Sequence, residues 1–211
     1  MIRRIEGPED FAARFNVSRE TMAQLQAYAK QLARWNPRIN LVSAATLPDQ
    51  WHRHFADSAQ LLALHPPTAR RWLDLGSGAG FPGLVIAIMA QASAPDLRLH
   101  LVESDQRKCA FLRSVAAETG ITIDISPERI ESLPPQSADV ISARALAPLP
   151  QLLAHAENHL APGGIGLVPK GRTVHKELAE AEQAWRFAHR VHPSLTDPEA
   201  AIVEIGAPTR V

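Results

Sequence analysis

Apolar residues recur at intervals of three and four between Ser18 and Trp35, which is the spacing of one face of an α-helix. Serine favours the first position of a helix, and Asn36-Pro37 is expected to end this one. A second helix is predicted from about residue 49 to residue 64. Two helices therefore precede the first strand, and they form a predicted helical extension over residues 1–66.

Beyond the prolines at 66 and 67, short apolar runs alternate with helical spacers. This alternation is typical of an α/β domain with a mainly parallel sheet. Residues 67–211 are predicted to form that domain, with the extension packed on it as one compact unit. Strands are predicted at 72–75, 97–102, 121–125, 138–142, 165–168, 186–191 and 201–205, and helices at 84–89 and 106–117.

Composition is that of an ordinary soluble globular protein, with 45% hydrophobic and 21% charged residues in a chain of 211. Its apolar runs fall short of the roughly 20 residues that a membrane span needs, and its first residues lack the apolar segment of a signal peptide. A cytoplasmic protein is therefore expected. The 22 basic and 22 acidic side chains cancel, which argues against strong unspecific binding of nucleic acid but allows a local basic patch.

Four glycines follow the first predicted strand within eight positions, at Gly76, Gly78, Gly80 and Gly83. Open α/β folds bind ligands at this edge of the sheet, and glycine lets a ligand approach the main chain closely. Residues 78–83 match the dinucleotide pattern G-x-G-x-x-G, whereas residues 74–80 match the D/E-x-G-x-G-x-G loop of S-adenosylmethionine enzymes. A glycine-rich turn without a ligand is the least favoured interpretation.

Asp74 separates these hypotheses, because a carboxylate before the loop repels a pyrophosphate but attracts the ammonium and sulfonium of S-adenosylmethionine. A dinucleotide loop also begins directly after its strand, yet Gly78 comes three residues after Leu75. S-adenosylmethionine is therefore the predicted cofactor. Glu103 ends the next strand, where an acid can accept hydrogen bonds from the ribose hydroxyls of either kind of cofactor.

The residues after the fourth predicted strand limit the chemistry. Residues 138–148 lack the Asn/Asp-Pro-Pro-aromatic stretch of enzymes that methylate exocyclic amines. Cys109, the single cysteine, lies in a predicted helix and is interpreted as a packing residue, which argues against C5 methylation of pyrimidines. Small molecules and ring nitrogens remain as acceptors. A ring nitrogen such as guanine N7 needs no general base, so catalysis would consist of positioning and electrostatics.

Several stretches resemble, in order, the bacterial small-subunit ribosomal RNA guanine-N7 methyltransferases, the RsmG family, formerly GidB. The resemblance covers most of the chain, although Gln106-Arg107-Lys108 stands where the family often has Gly-Lys-Lys or Gly-Lys-Arg. It implies a Rossmann-like class I methyltransferase fold, with a mainly parallel seven-stranded sheet, helices on both faces and an N-terminal helical extension. The matching stretches are WNPRINLVS (35–43), RHFADSAQL (53–61), LDLGSGAGFPGLVIAI (73–88), LVESDQRKCAFL (101–112), RIES (129–132), ARALAPL (143–149) and PKG (169–171).

The resemblance implies methyl transfer from S-adenosylmethionine to N7 of one guanine in 16S ribosomal RNA, free or in a small-subunit ribonucleoprotein particle. A monomer without metal or membrane contact is expected. Arg144 would lie in the cofactor or substrate pocket and position the acceptor. The predicted cofactor contacts are Asp74, Gly76, Gly78, Gly80 and Glu103 from the loop and the second strand, with Phe81, Ile130, Glu131 and Arg144 implied by the resemblance.

Basic residues outside the loop are candidates for the RNA side. The resemblance implies that Arg53 and His54 face the RNA or the pocket. Lys170 follows the fifth strand, at the edge where substrate should arrive, and is expected to contact RNA. His52, His54 and Asp57 could suggest a metal site, but residues two apart on a helix point to different faces, so no metal is expected. His155 and His159 are interpreted as solvated surface residues.

Two other classes of function stay as alternatives. A nicotinamide-dependent oxidoreductase would use the dinucleotide interpretation of the loop, and Asp74 opposes it. A non-catalytic protein that binds an adenosine ligand would need the loop but not the cationic residues Arg53, His54, Arg144 and Lys170.

Overall fold

A computed structural model describes residues 4–211, so the first three residues of the predicted extension lie outside the description. Within that range the strands are β1 (Arg71–Leu75), β2 (Arg98–Val102), β3 (Asp124–Ser126), β4 (Ala138–Ala143), β5 (Leu160–Lys170), β6 (Trp185–Pro193) and β7 (Ala201–Arg210). They form one seven-stranded sheet in the order β3-β2-β1-β4-β5-β7-β6. Of these strands only β7 runs in the opposite direction, antiparallel to both β5 and β6, which confirms the mainly parallel sheet.

Helices cover both faces of the sheet, as predicted. They are α1 (Pro8–Phe15), α2 (Arg19–Ile39), α3 (Asp57–Ala59), α4 (Gly83–Ser93), α5 (Gln106–Thr119), α6 (Leu149–His159) and α7 (Val174–Ala181). Successive residues of a strand point to opposite faces. Accordingly Trp72 packs in the core with α2, α4 and α5, whereas Leu73 and Leu75 pack in the core with α6 and α7.

The helix predicted from Ser18 begins as expected but ends later. The Ser18 hydroxyl accepts a hydrogen bond from the Thr21 amide at 3.1 Å, which confirms the start. The predicted stop at Asn36-Pro37 is wrong, because the helix continues through Pro37 to Ile39. The Asn36 side chain and carbonyl accept from the amides of Val42 and Asn40, and these bonds stabilise the last turn.

The helix predicted at 49–64 is a chain of short, irregular helical turns. A 3₁₀ turn over Ala44–Asp49 leads to a π-helix over Trp51–Ala56, and after α3 a second 3₁₀ turn covers Gln60–Leu64. The number of helices in the extension was also predicted wrongly, since α1 precedes the two expected ones.

The extension shares one hydrophobic core with the sheet. Tyr28 and Phe55 lie in the same buried cluster as Trp72, Leu84 and Phe111. Packing is thus continuous across residues 66 and 67, and the division there stays a sequence-based prediction. Among the helices of residues 4–211, none is both long and apolar enough to cross a lipid bilayer.

Candidate active site

The glycine loop after β1 adopts backbone conformations that favour glycine. Gly76, Gly78 and Gly80 have φ angles of +64°, +56° and +90°. A Cβ atom at Gly76 would lie 2.6 Å from Leu146 Cδ1, and one at Gly80 would collide with Leu84. At Gly78 the nearest atom would be 3.7 Å away. Gly80 is therefore needed for packing, whereas Gly78 faces open space.

Asp74 supports the loop from inside the protein. Its carboxylate is fully buried and accepts hydrogen bonds from the Gly83 amide at 3.2 Å and from the Ser142 hydroxyl at 2.6 Å. Burial raises the pKa of Asp74 to about 6, although these hydrogen bonds act in the opposite direction. In this arrangement the carboxylate acts on the loop, and its predicted contact with the cofactor stays a prediction.

Glu103 joins the glycine loop to the end of β2. One carboxylate oxygen accepts from the Gly78 amide at 2.9 Å, and the other accepts from the Asp105 amide at 2.7 Å. Each carboxylate oxygen has a second lone pair, so the group can accept further hydrogen bonds. Glu103 is thereby fixed at the edge of a cavity.

This glycine-loop cavity has a volume of about 410 Å³ and brings together six of the predicted cofactor residues. Three predicted contacts lie outside its wall, since Asp74 is fully buried, Gly80 packs on Leu84 and Phe81 is 3% exposed. The Phe81 ring stacks on Tyr28 and His54, at centroid distances of 5.2 and 5.1 Å. The six predicted residues in the cavity wall are Gly76, Gly78, Glu103, Ile130, Glu131 and Arg144.

Helix α6 contributes wall residues that the sequence interpretation missed. Gln151 and His155 both line the glycine-loop cavity, and the His155 side chain is only 17% exposed, with Nε2 3.9 Å from Glu131 Oε1. The interpretation of His155 as a solvated residue is therefore wrong, as it is for His159, which is 1% exposed. The sequence held one signal for this position, because Gln151 and His155 are four residues apart on a helix that begins shortly after Arg144.

Tyr28 ties the extension to the glycine loop. Its hydroxyl donates to the Ala79 carbonyl at 2.5 Å, and its ring packs on Phe81 inside the loop. The loop conformation thus depends on α2 as well as on its own glycines.

A second, outer cavity of about 680 Å³ lies beside the first. Its wall includes Arg53, His54 and Lys170, the residues predicted for the RNA side, together with Asp57 and Thr196. Arg144 and Ala145 line both cavities, and they form what is called here the junction.

Arg144 is held firmly at the junction. Its Nη1 atom donates to the Arg53 carbonyl and the His54 ring, both at 3.2 Å, and lies 3.4 Å from an Asp57 carboxylate oxygen. The guanidinium also lies 5.0 Å from the centroid of the Phe81 ring, a cation–π distance. The side chain is 18% exposed, so its charge is largely shielded from water.

His54 is a neutral, buried partner of Arg144. The Thr46 hydroxyl donates to the Ser43 carbonyl, so it accepts from His54 Nε2 at 2.8 Å, and Nδ1 is left to accept from Arg144. Burial, reinforced by the charges of Arg144 and Arg53, lowers the pKa of His54 to about 4. With 8% exposure the ring is buried in the wall of the outer cavity, which fits the pocket-facing alternative, and its contact with RNA stays a prediction.

Lys170 is engaged within the protein. Its ammonium lies 2.7 Å from Glu177 and donates to the Ala147 carbonyl at 2.8 Å, and the side chain is 9% exposed. Burial opposes ionisation of Glu177, but hydrogen bonds from Lys170 and the Leu149 amide outweigh it and lower the pKa of this carboxyl. Because two internal acceptors already bind the ammonium, the structure favours an internal role for Lys170, and its predicted contact with RNA stays untested by these contacts.

Arg53 has an exposed side chain, and its contact with RNA stays a prediction. His52 is directed away from His54, since its ring accepts from the Ile5 amide and pairs with the Thr196 carbonyl. Within residues 4–211, no three His, Cys, Asp or Glu side chains are grouped so as to hold a metal ion.

The strand order, the antiparallel β7 and the glycine loop after β1 define a Rossmann-like fold of the class I, S-adenosylmethionine-dependent methyltransferases. More particularly, the chain belongs to the GidB family, described as rRNA small subunit methyltransferase G, whose family model matches residues 21–202. The predicted family is confirmed, and the oxidoreductase alternative loses its support.

Curated relatives of similar length carry the same name. The ribosomal RNA small subunit methyltransferase G of Cereibacter sphaeroides is 50% identical over 199 residues, covering 94% of this chain and 97% of that protein. The protein of that name from Rhodospirillum centenum is 52% identical over 196 residues, covering 93% and 88%.

Solved structures are similar in fold at low identity. Mitomycin 7-O-methyltransferase MmcR has a TM-score of 0.63 at 17% identity and covers 95% of this chain and 72% of its own. A TehB-like SAM-dependent methyltransferase from Corynebacterium glutamicum has a TM-score of 0.55 at 16% identity and covers 88% and 100%.

Proposed function

We propose that this chain transfers a methyl group from S-adenosylmethionine to N7 of a specific guanine in 16S ribosomal RNA. One observation carries the proposal: the glycine-loop cavity and the outer cavity share the junction residues Arg144 and Ala145. A cofactor in the first cavity and a base in the second would meet there. Family membership supports ribosomal RNA as the substrate.

The glycine-loop cavity fits S-adenosylmethionine. Its volume of about 410 Å³ lies in the range of roughly 300–1,000 Å³ that small-molecule sites span. Glu103 would hold the ribose hydroxyls, Ile130 would supply an apolar wall for the adenine, and Gly76 and Gly78 would leave the main chain bare. When bound, the cofactor supplies an electrophilic methyl carbon.

The residues of this chain then act by orienting the two reactants and not by transferring a proton. Guanine N7 offers a lone pair without losing a proton, and His54, with a pKa of about 4, is a poor base near neutrality. Arg144 has five N–H donors in a fixed fork, so it can keep its protein partners and still donate to an acceptor base. We assign Arg144 the role of orienting the base and Glu103 that of orienting the ribose.

RNA recognition would use a small surface rather than overall charge. The formal net charge is zero, so a patch that includes the exposed Arg53 would read a folded RNA or a ribonucleoprotein particle. We propose that the protein acts there as a cytoplasmic monomer.

Cleavage mapping at N7-methylguanine tests the proposal. Ribosomal RNA from cells with and without this protein is reduced and cleaved, and one cleavage site in the small-subunit RNA should be lost in its absence. Purified protein with S-adenosylmethionine should restore the site on RNA or small subunits from the deficient cells, whereas the Arg144→Ala variant should not. An unchanged cleavage pattern in deficient cells would refute the proposed function.

A further inference from the structure

The helical segment 52–60 holds the β6–β7 loop (residues 194–200), which forms part of the wall of the outer cavity. His52 Nε2 pairs with the Thr196 carbonyl at 2.8 Å. Gln60 Oε1 accepts from the Leu195 amide at 2.8 Å. The third contact comes from Asp57, whose Oδ1 accepts from the Thr196 hydroxyl at 3.0 Å.

Asp57 also touches Arg144, on the other side of the segment. Its Oδ2 lies 3.4 Å from Arg144 Nη1, and both side chains are 18% exposed. One carboxylate thus joins the β6–β7 loop to the junction of the two cavities. Its Oδ1 accepts in addition from Gln60 Nε2 at 3.0 Å, which fixes the orientation of the carboxylate.

A π-helix precedes Asp57 and places the other partners of Arg144. The Arg53 carbonyl and the His54 ring belong to this wide turn, Trp51–Ala56. Single π turns inside helices occur frequently at functional sites. Both partners are neutral, so Asp57 alone among these three contacts opposes the charge of Arg144.

We propose that Asp57 is a positioning residue for methyl transfer, which holds Arg144 at the junction while the Thr196 hydroxyl holds Asp57. The inference rests on the proposed function. An arginine side chain has many rotamers, and an error of about 1 Å in the position of a catalytic group can cost on the order of 100-fold in rate. Removing the charge of Asp57 leaves Arg144 partly buried with a carbonyl and an imidazole, which hold a guanidinium less strongly.

Single-turnover methyl transfer at saturating cofactor and RNA tests this role. We expect Asp57→Asn to lower the rate about 10- to 100-fold while the dissociation constant for S-adenosylmethionine changes less than about 3-fold. Thr196→Val should lower the rate about 3- to 10-fold, because Asp57 keeps its charge but loses one anchor. Asp57→Asn in an Arg144→Ala protein should have no further effect, since residues that act through each other are non-additive.

Asp139→Asn is the matched control. Asp139 accepts from the Arg70 and Arg71 amides, so the variant loses a structural carboxylate outside both cavity walls. Its single-turnover rate should equal that of the parent. Additive losses for Asp57→Asn and Arg144→Ala, or equal effects of Asp57→Asn and Asp139→Asn, would overturn the inference.

A crystal structure of Asp57→Asn separates this inference from the proposed function. The Arg144 guanidinium should leave its acceptors at positions 53 and 54, and an unchanged position would refute the role of Asp57 whether or not the parent methylates RNA. A parent protein without methyl transfer would instead refute the proposed function. If Asp57→Asn fails to fold, the structure and rate of Thr196→Val decide between the same outcomes.

Discussion

Lys170 and Glu177 form a largely buried ion pair of 2.7 Å, and both hold the loop after β4. Lys170 binds the Ala147 carbonyl, and Glu177 binds the Leu149 amide. Between these anchors and Arg144 lies Leu146, whose side chain packs over Gly76. The ion pair therefore shapes the glycine-loop cavity from a distance.

Loss of this pair should destabilise the protein without changing its affinity for RNA phosphates. We expect Lys170→Met to lower the free energy of unfolding by about 3 kcal/mol, because Glu177 is left with an unpaired, partly buried charge. Urea unfolding measures the loss, and Lys170→Met combined with Glu177→Gln should recover most of it. Lys176→Met, at an exposed pair with Glu180, is the control and should cost less than about 0.5 kcal/mol. If the salt dependence of RNA binding instead falls by about one phosphate in Lys170→Met, Lys170 contacts the RNA backbone.

Alanine at Gly78 should weaken cofactor binding by more than backbone strain explains. Gly78 and Gly120 have φ angles of +56° and +67°, and a Cβ would meet no close neighbour at either position. Both variants should lose about 1–2 kcal/mol of stability from the left-handed backbone. Only Gly78→Ala should also weaken S-adenosylmethionine binding in calorimetry, because its methyl group enters the cavity. Equal binding by the two variants would place Gly78 outside the site.

Asp74 should make the parent less stable as the pH rises. Its folded pKa of about 6 exceeds its ordinary 3.8, so the stability present below the lower value is lost as the pH rises through the higher one. The difference of about 2 units corresponds to roughly 3 kcal/mol. Asp74→Asn cannot ionise, so from about pH 3 to about pH 7 the parent should lose about this much relative to the variant in urea unfolding. Parallel pH profiles of the two proteins would contradict the buried, ionisable carboxyl.

His54 should act as an acceptor for Arg144 and take no proton during the reaction. Because its pKa is about 4, we expect a single-turnover rate that is flat from about pH 6.5 to 9. His54→Asn keeps an acceptor near Nδ1 and should stay within about 3-fold of the parent, whereas His54→Ala should lose about 10-fold. A limb near neutrality that disappears in His54→Asn would make His54 a proton acceptor.

Much of the fold follows from local patterns. The Ser18 cap and the alternation of strands and helices were predictable because each depends on residues close in sequence. The end of α2 was not predictable in this way. Pro37 removes one amide donor from the helix, but the Ala33 carbonyl that loses this donor lies on the exposed face, where water can satisfy it. The strand predicted at 121–125 is observed at Asp124–Ser126, so residues 121–123 lie outside it. This short strand, β3, lies at the sheet edge and pairs only with β2.

The site was predictable where a motif binds through its backbone. Gly76, Gly78 and Glu103 lie together because a strand, a turn and the next strand fix them. Burial of Lys170 and His54 was not predictable, since their partners come from other elements and only tertiary packing brings them into contact. A charged or imidazole side chain looks the same in sequence whether it binds a phosphate or an internal carboxylate.

The hydrogen bond from Tyr28 to Ala79 makes the fold less modular than its two-part sequence suggests. A fragment that begins at residue 67 would keep every glycine of the loop but would lack the donor for the Ala79 carbonyl and the ring that covers Phe81. A chimaera that takes the sheet domain from one relative and the N-terminal helices from another would combine the glycine loop of one parent with the α2 tyrosine of the other. Chimaeras of such enzymes should therefore be cut so that the α2 helix and the loop come from the same parent.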